Sequence, residues 1–286
     1  MKSTYFKYIF ALLLFGSNGI WANLIDLNSY EIVLFRTFIG SLFLMFIFFL
    51  KKEKLTFYQY KKQFGYLTAS GIATGVSWIF LYEAYQEVGV SLASLTYYCG
   101  PVIVMVLSPF LFHEKLTKAK SIRFIAVLVG IFLINGTAFH NDKNSWGLFC
   151  GSMSAICYSL MVIFHKKVKK ITGLENSMLQ LFISFVTVAV FVVIKQGASI
   201  HFPSETIVPM LVLGLVNTGI GCYFYFSSIG HLPVHAVAIC GYLEPLSPVL
   251  FSVIFLNELL LPIQMIGAIL IIGGAICGEK KGRIVN

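Results

Sequence analysis

A single carboxyl group lies in the middle of a long apolar segment near the end of the chain. Glu244 stands about ten residues into the apolar run 234–256 and directly precedes Pro245. Proline lacks a backbone N–H and disturbs the carbonyl four residues earlier, here that of Gly241, so a bend or an unwound stretch is expected. A carboxyl beside freed backbone groups can bind an amine or a proton. The other interpretation is a protonated side chain that hydrogen-bonds a neighbouring helix.

Other side chains within apolar segments extend this list of candidates. Pro101, preceded by Gly100, is a second predicted helix break or hinge, or else a packing residue. Asn18 and Asn217 can either hold a polar substrate or hydrogen-bond neighbouring helices. The aromatic residues that either wall a cavity or pack against lipid and core are Trp78, Tyr82, Tyr97, Tyr98 and Tyr242, with Tyr158 and Tyr223.

The remaining charges in apolar segments favour structural or gating roles. Arg36 lies inside the second apolar segment, and we expect it to reach the interface or to pair with Glu31 or Glu83 rather than to contact substrate. Glu83 is a candidate gate. Glu114 and Glu258 end apolar segments and are predicted to be structural.

The elements that carry these residues are predicted to be membrane-spanning helices. The chain has 286 residues, 58% hydrophobic and 12% charged, with a mean hydropathy of +0.84, whereas an ordinary soluble domain is about a quarter charged. About 20 apolar residues span a bilayer as a helix. Ten segments qualify, leaving no room for a soluble catalytic domain: 5–24, 31–50, 64–84, 91–112, 121–139, 146–165, 177–195, 207–228, 234–256 and 262–278.

Basic residues mark one side of this predicted bundle. Of the 21 Lys and Arg residues, 18 fall at the two termini and in segments 51–62, 115–123 and 166–170. Only Lys143 and Lys195 fall on the opposite side. By the positive-inside rule, we predict a multi-pass protein of the cell membrane with both termini in the cytoplasm.

The sequence also repeats weakly at an offset of 144 residues, which pairs Pro101 with Pro245 and Glu114 with Glu258. Five helices per copy is an odd number, so the second copy must enter the membrane from the opposite side. We therefore predict an all-α integral membrane fold of ten transmembrane helices, built from two inverted five-helix repeats. Their predicted extents are 1–142 and 143–286.

The paired segments resemble those of the EamA-type branch of the drug/metabolite transporter superfamily. The likeness rests on Pro101-Val-Ile and Phe112-His-Glu114-Lys-Leu-Thr117 in one half, and on Glu244-Pro245 and Leu256-Asn-Glu258-Leu in the other. It implies a transporter with a cavity lined by the first, third, fourth, sixth, eighth and ninth helices. It leaves the substrate open among amino acids, sugars, nucleotide-like metabolites and amphipathic drugs.

An enzymatic function is not supported by the motifs. The sequence has no HExxH, GxSxG or GxxxxGK[ST] pattern, and its two aspartates, Asp26 and Asp142, lie outside the apolar segments. The six cysteines form no CxxC pair and are interpreted as small apolar residues. We therefore expect no enzyme activity, no cofactor and no metal site.

The sequence thus predicts a secondary transporter that works by alternating access. An amino acid or another amine-bearing metabolite is the favoured substrate, and export is the expected direction. A sugar or nucleoside is the alternative substrate, with a membrane enzyme as the less favoured class. Expected partners are the small-molecule substrate and the lipid bilayer, with a proton as the candidate coupling ion and no nucleic acid. Monomer and homodimer both remain open.

Overall fold

The protein is described by a computed structural model that covers residues 2–22, 24–112, 118–135, 145–197, 206–244 and 247, with short pieces at 262–263, 265–267 and 269–270. All regular elements in these ranges are helices. They are α1 (Lys2–Gly16), α2 (Asn18–Ala22), α3 (Ser29–Leu50), α4 (Lys61–Tyr97), α5 (Cys99–Phe112), α6 (Lys118–Asn135), α7 (Ser145–His165), α8 (Gly173–Gln196), α9 (Ile207–Leu211), a π-helical segment (Val212–Ile220), α10 (Gly221–Ile229) and α11 (Val234–Gly241), with one 3-10 turn at Phe57–Gln59.

The start of α3 is fixed by its own sequence. The Asn28 side chain accepts a hydrogen bond from the Glu31 backbone N–H at 3.0 Å, and the Glu31 carboxylate accepts one from the Asn28 N–H at 3.2 Å. This reciprocal capping box satisfies two N–H groups that a helix start leaves free. Glu31 is therefore engaged in capping rather than paired with Arg36.

The first part of α4 runs antiparallel to α7. Ser70 Oγ donates to the Met161 carbonyl at 3.0 Å, and Ser77 Oγ donates to the Ser154 carbonyl at 2.9 Å. As the residue number rises along α4, its partner on α7 falls, so the two chains run in opposite directions.

The second part of α4 runs parallel to α7. Gly147 packs against Val88, and further along Gly151 packs against Thr96. The chain therefore reverses direction near Val88. Helical hydrogen bonding nevertheless continues through 85–90, the stretch predicted as a connection between two spans.

Helix breaks occur at two tyrosines, each three residues before a proline. α4 ends at Tyr97, Tyr98 forms a turn, and α5 begins at Cys99, which places Pro101 in the first helical turn, where its missing N–H costs nothing. α11 ends at Gly241, and Tyr242 forms the second turn. The two turns are 144 residues apart, the offset of the sequence repeat. Pro245 lies outside the described residues, as do Glu114 and Glu258.

The helices are suited to a bilayer in length and composition. In the described part of the chain, five stretches are long and apolar enough to cross it: Ser29–Leu50, Lys61–Val88, Ser145–His165, Gly173–Gln196 and Ile207–Ile229. Shorter apolar helices are Ser3–Gly16 and Cys99–Phe112. Large apolar side chains such as Phe110 (76% exposed) and Ile194 (80% exposed) face outward, as expected for contact with lipid. The count of ten spans remains a prediction.

Glycines let α4 approach α8 closely. A Cβ added at Gly71 would lie 2.7 Å from both Cβ and Cγ2 of Ile183, whereas a Cβ at Gly65, one turn and a half earlier on the same helix, would have nothing within 4 Å. Gly71 and Gly75 form a small-xxx-small spacing of the kind that membrane helices use for close packing.

Gly71 and Gly65 give a matched stability test. We expect Gly71→Ala to lower the stability of the purified protein by about 1–3 kcal/mol, since the branch point of Ile183 must move away. Gly65→Ala is expected to leave stability unchanged or raise it, because alanine is the better helix former. Thermal unfolding in detergent compares the two variants, and an equal effect of both would contradict the close contact.

Candidate functional site

A cavity of about 610 Å³ lies between the helices. Its wall extends to the half-buried Leu27 and the exposed Gln86, at the extremity of the bundle that we call the open end. Lysines 51–62 and 166–170 lie at the other extremity of α3, α4, α7 and α8, which we call the basic end. A cavity of this size accommodates a metabolite of drug-like dimensions.

Most of the predicted binding residues line this cavity. Those in its wall are Asn18, Trp78, Tyr82, Tyr97, Tyr98 and Glu244. Tyr158, Tyr225 and Phe226 add further aromatic surface. The cavity is therefore walled by aromatic rings, with a carboxyl group among them.

Glu244 lies just beyond the Tyr242 turn and is half-buried in the cavity wall. Its backbone carbonyl accepts a hydrogen bond from Ser247 Oγ at 2.8 Å. No hydrogen bond reaches its carboxylate from the residues that the structure describes, so this group is available to a ligand. Gly241, where the helix ends, is itself buried and contributes no side chain.

Arg36 also lines the cavity, although it is only 2% exposed. Its Nε donates to Thr218 Oγ1 at 3.1 Å and its Nη1 donates to Tyr82 Oη at 2.6 Å. The guanidinium carbon lies 5.0 Å from the centre of the Trp78 ring and 5.7 Å from that of Tyr82. This geometry favours cation–π attraction.

The sequence prediction for Arg36 therefore needs correction. Arg36 is buried and lines the cavity, and among the described residues it pairs with neither Glu31 nor Glu83. Glu83 instead accepts hydrogen bonds from Tyr30 Oη and, at 3.2 Å, from Trp146 Nε1. Lys195 lies over the same Tyr30 ring, 5.1 Å from its centre. This cluster lies towards the open end of the bundle.

Three residues that were predicted to bind substrate or to wall the cavity lie outside its wall, namely Asn217, Tyr223 and Tyr242. Asn217 Nδ2 donates to the Leu14 carbonyl, to Ser17 Oγ and to Asn18 Oδ1, at 2.8 to 3.0 Å. It thereby ties the break between α1 and α2 to the π-helical segment, which is the interhelical alternative in the sequence analysis. Tyr242 is fully buried beside the wall.

The π-helical segment sets the position of Thr218. Thr218 Oγ1 donates to the Leu213 carbonyl five residues earlier at 2.8 Å, a spacing that belongs to a π-helix. Thr218, Cys222 and Tyr225 then share a face at spacings of four and three, directed at Arg36 and the cavity. The spacing of these three residues is visible in the sequence, but the predicted binding residues include only Asn217 beside this face.

A second polar group closes the cavity towards the basic end. Gln180 is fully buried, and its Nε2 donates to Ser70 Oγ and to Thr74 Oγ1, both at 2.9 Å. Thr74 itself lines the cavity. Gln180 therefore lies immediately beyond the closed extremity of the cavity.

The closure continues at the ends of α7 and α8. His165 Nε2 and Asn176 Nδ2 each lie 3.1 Å from the Phe226 carbonyl and 3.1 Å from one another. Phe226 forms part of the cavity wall, and its ring stacks on His165 with centres 5.4 Å apart. These contacts fasten α10 to α7 and α8 at the basic end.

Arg36 and Gln180 occupy equivalent positions of the repeat, since they are 144 residues apart. Their partners Thr218 and Thr74 are also 144 residues apart. The hydrogen bonds from Arg36 to Thr218 and from Gln180 to Thr74 are therefore the same contact made twice. The donor Arg36 is charged, whereas the donor Gln180 is neutral.

Metal binding finds no support in the described part of the chain, where no three His, Cys, Asp or Glu side chains are grouped to hold an ion. The described cysteines are all free thiols, and Cys222 is the one in the cavity wall.

A helical membrane fold around an aromatic cavity that is open at one extremity defines the class of small-molecule membrane transporters. Comparison with known families agrees with this class. The model of the EamA-like transporter family matches the chain twice, over residues 2–136 and 145–277. The protein therefore belongs to the EamA-like transporter family.

Individual relatives are distant but cover most of the chain. The uncharacterized transporter YxxF of Bacillus subtilis is 24% identical over 94% of this chain and 86% of its own length. The uncharacterized transporter YoaV of the same species is 24% identical over 84% and 83%. The uncharacterized transporter PM1281 of Pasteurella multocida is 23% identical over 87% and 86%. A solved crystal structure superposes with a TM-score of 0.81 at 16% identity, covering 98% of this chain and 99% of that one, which shows a shared fold.

Proposed function

We propose that the protein is a secondary transporter that exports an amine-bearing metabolite, with amino acids as the first candidates, across the cell membrane. The observation that carries this proposal is the Glu244 carboxyl in the wall of an aromatic cavity. A carboxylate in an apolar setting needs a positive partner, which a substrate amine or a coupling proton supplies. The surrounding rings attract the same amine through cation–π contacts.

The architecture supports a mechanism of alternating access between two inverted halves, 1–142 and 143–286. The support comes from three pairs of features separated by 144 residues: the tyrosine turns, the two threonine contacts and the prolines of the sequence repeat. Inverted repeats let one half rock against the other around a central site. Here the cavity is open at one end and closed by Gln180 and His165 at the other.

The orientation follows from the positive-inside rule. The basic end faces the cytoplasm, both termini lie there, and the open end faces the exterior. In this orientation, the conformation described is the outward-open one, from which an exporter releases its substrate.

Transport of a defined panel tests the substrate class. We expect radiolabelled amino acids or simple amines to accumulate in vesicles containing the protein at least several-fold above protein-free vesicles. Labelled sugars and nucleosides are expected to stay at the background level, since they carry no amine charge for Glu244. Accumulation of a sugar or a nucleoside, with none of any amine, would overturn the proposed substrate class and favour the alternative.

A further inference from the structure

The charge of Arg36 is not neutralised by any side chain bonded to it. Its two hydrogen-bond acceptors, Thr218 and Tyr82, are neutral hydroxyls, and its stacking partners are neutral rings. Among the described residues no carboxylate lies within ion-pair distance of it. A charged side chain buried within the membrane is costly, so a position of this kind points to a functional use of the charge.

The guanidinium has hydrogen-bonding capacity left for a ligand. The hydrogen bonds from Arg36 to described residues use Nε and Nη1. Nη2, in the same planar guanidinium group, takes part in neither of them. Arg36 lines the cavity, so this fork borders the space in which a substrate lies. Arginine binds carboxylates through two parallel hydrogen bonds, which suits such a position.

Glu244 supplies the opposite charge in the same cavity. Glu244 and Arg36 both line the cavity, and no ion pair joins them in the described part of the chain. The cavity therefore holds one positive and one negative group that are kept apart from each other. A molecule that bridges them must carry both charges.

The equivalent residue Gln180 shows that the contact with threonine does not require a charge. Gln180 donates to Thr74 as Arg36 does to Thr218, at 2.9 and 3.1 Å, and it does so with a neutral amide. Gln180 lies beyond the closed extremity of the cavity, whereas Arg36 lies in its wall. A glutamine at position 36 would be enough for a structural hydrogen bond to Thr218, so the charge of Arg36 has another use.

We propose that Arg36 binds the carboxylate of the substrate while Glu244 binds its amine, so that the cavity selects zwitterions such as α-amino acids with apolar side chains. This inference rests on the proposed function for the amine end and adds the carboxylate end. The ring walls from Trp78 to Tyr98 then surround the apolar side chain.

Three probes that differ only in their charged groups test this proposal. They are leucine, 3-methylbutylamine, which lacks the carboxylate, and 4-methylpentanoate, which lacks the amine. Uptake of each into vesicles is measured for the unmodified chain and for Arg36→Gln. Glutamine is the residue that makes the equivalent contact at position 180. Arg36→Gln is therefore expected to fold and to keep the bond to Thr218.

We expect the unmodified chain to transport leucine at least about tenfold faster than either analogue, because each analogue leaves one buried charge without its partner. In Arg36→Gln the ratio of leucine to 3-methylbutylamine uptake is expected to fall at least about tenfold. Thr218→Val keeps the charge of Arg36 but removes the acceptor of its Nε–H. In this variant the ratio of leucine to 3-methylbutylamine uptake is expected to fall less. This second variant reports on Arg36 even if Arg36→Gln is unstable in detergent.

The outcomes separate the two proposals. Equal transport of leucine and 3-methylbutylamine by the unmodified chain, or an equal loss of both in Arg36→Gln, would overturn the role of Arg36 and leave the amine site standing. Transport of 4-methylpentanoate as fast as leucine would overturn the amine site at Glu244. Transport of none of the three would overturn this inference, whereas the proposed function is overturned only if no amine of the wider panel is transported.

Discussion

Replacing Glu244 with glutamine is expected to lower the transport of an amine-bearing substrate at least about tenfold and to remove its dependence on pH. A hydrogen bond to a charged group contributes about 1.5–3 kcal/mol, equivalent to about 10- to 150-fold in an equilibrium constant. Glutamine has nearly the same size and keeps an oxygen acceptor, but it cannot exchange a proton. The change therefore removes the charge from the cavity wall while leaving its shape.

Glu83→Gln is the matched control. Glu83 is a second carboxyl within the bundle and lies towards its open end. It accepts hydrogen bonds from Tyr30 and Trp146. We expect this variant to keep the pH dependence, with at most a change in rate. Initial rates in proteoliposomes over a range of pH, corrected for the amount of folded protein, compare the two. Unchanged rates with the original pH profile in Glu244→Gln would sink the proposed role of Glu244.

The position of Glu244 in a cavity wall is the kind of feature that a membrane sequence can predict. So few ionisable groups lie within apolar segments that each must have a partner or a use, and an adjoining proline marks where backbone groups are freed. The same reasoning applies to Pro101. There the break lies three residues earlier, at Tyr98, because proline is tolerated in the first turn of the helix that follows.

The environment of Arg36 could not be predicted from the sequence. Its partner Thr218 lies 182 residues away, and its orientation depends on a π-helical segment that no local propensity signals. α3 is apolar on nearly all sides, so periodicity does not show which face is turned inward. For Asn217 the sequence left substrate contact and interhelical bonding open, since one residue along a helix separates the cavity face from the face bonded to α1.

Asn176→Leu is expected to favour the state that opens at the basic end, because the substitution removes a donor that fastens α10 to α8. Asn176 Nδ2 lies 3.1 Å from the Phe226 carbonyl and from His165 Nε2. An interhelical hydrogen bond within a membrane contributes about 0.6 to 1.5 kcal/mol, so the ratio of the two states should shift about 3- to 12-fold.

The shift is measured with the substitution Met161→Cys, because Met161 lines the cavity and is only 4% exposed in this structure. A membrane-impermeant thiol reagent applied to inside-out vesicles reaches this position only when the basic end opens. We expect faster labelling of Met161→Cys when Asn176→Leu is also present. The chain with its native cysteines alone gives the background rate, which is subtracted because Cys99 is exposed.

Gln180→Leu distinguishes opening from general loosening. It also removes two hydrogen bonds of a buried α8 side chain, but those bonds join α8 to α4, which Gly71 and Gly75 already hold in close contact. The close packing of α4 on α8 remains in this variant, so we expect it to lose stability without faster labelling of position 161. Equal acceleration by both variants would mean that any weakened contact at the basic end loosens the bundle. Acceleration by Asn176→Leu alone would place the moving boundary between α10 and the pair α7 and α8, where a transporter alternating between two open states must part its helices.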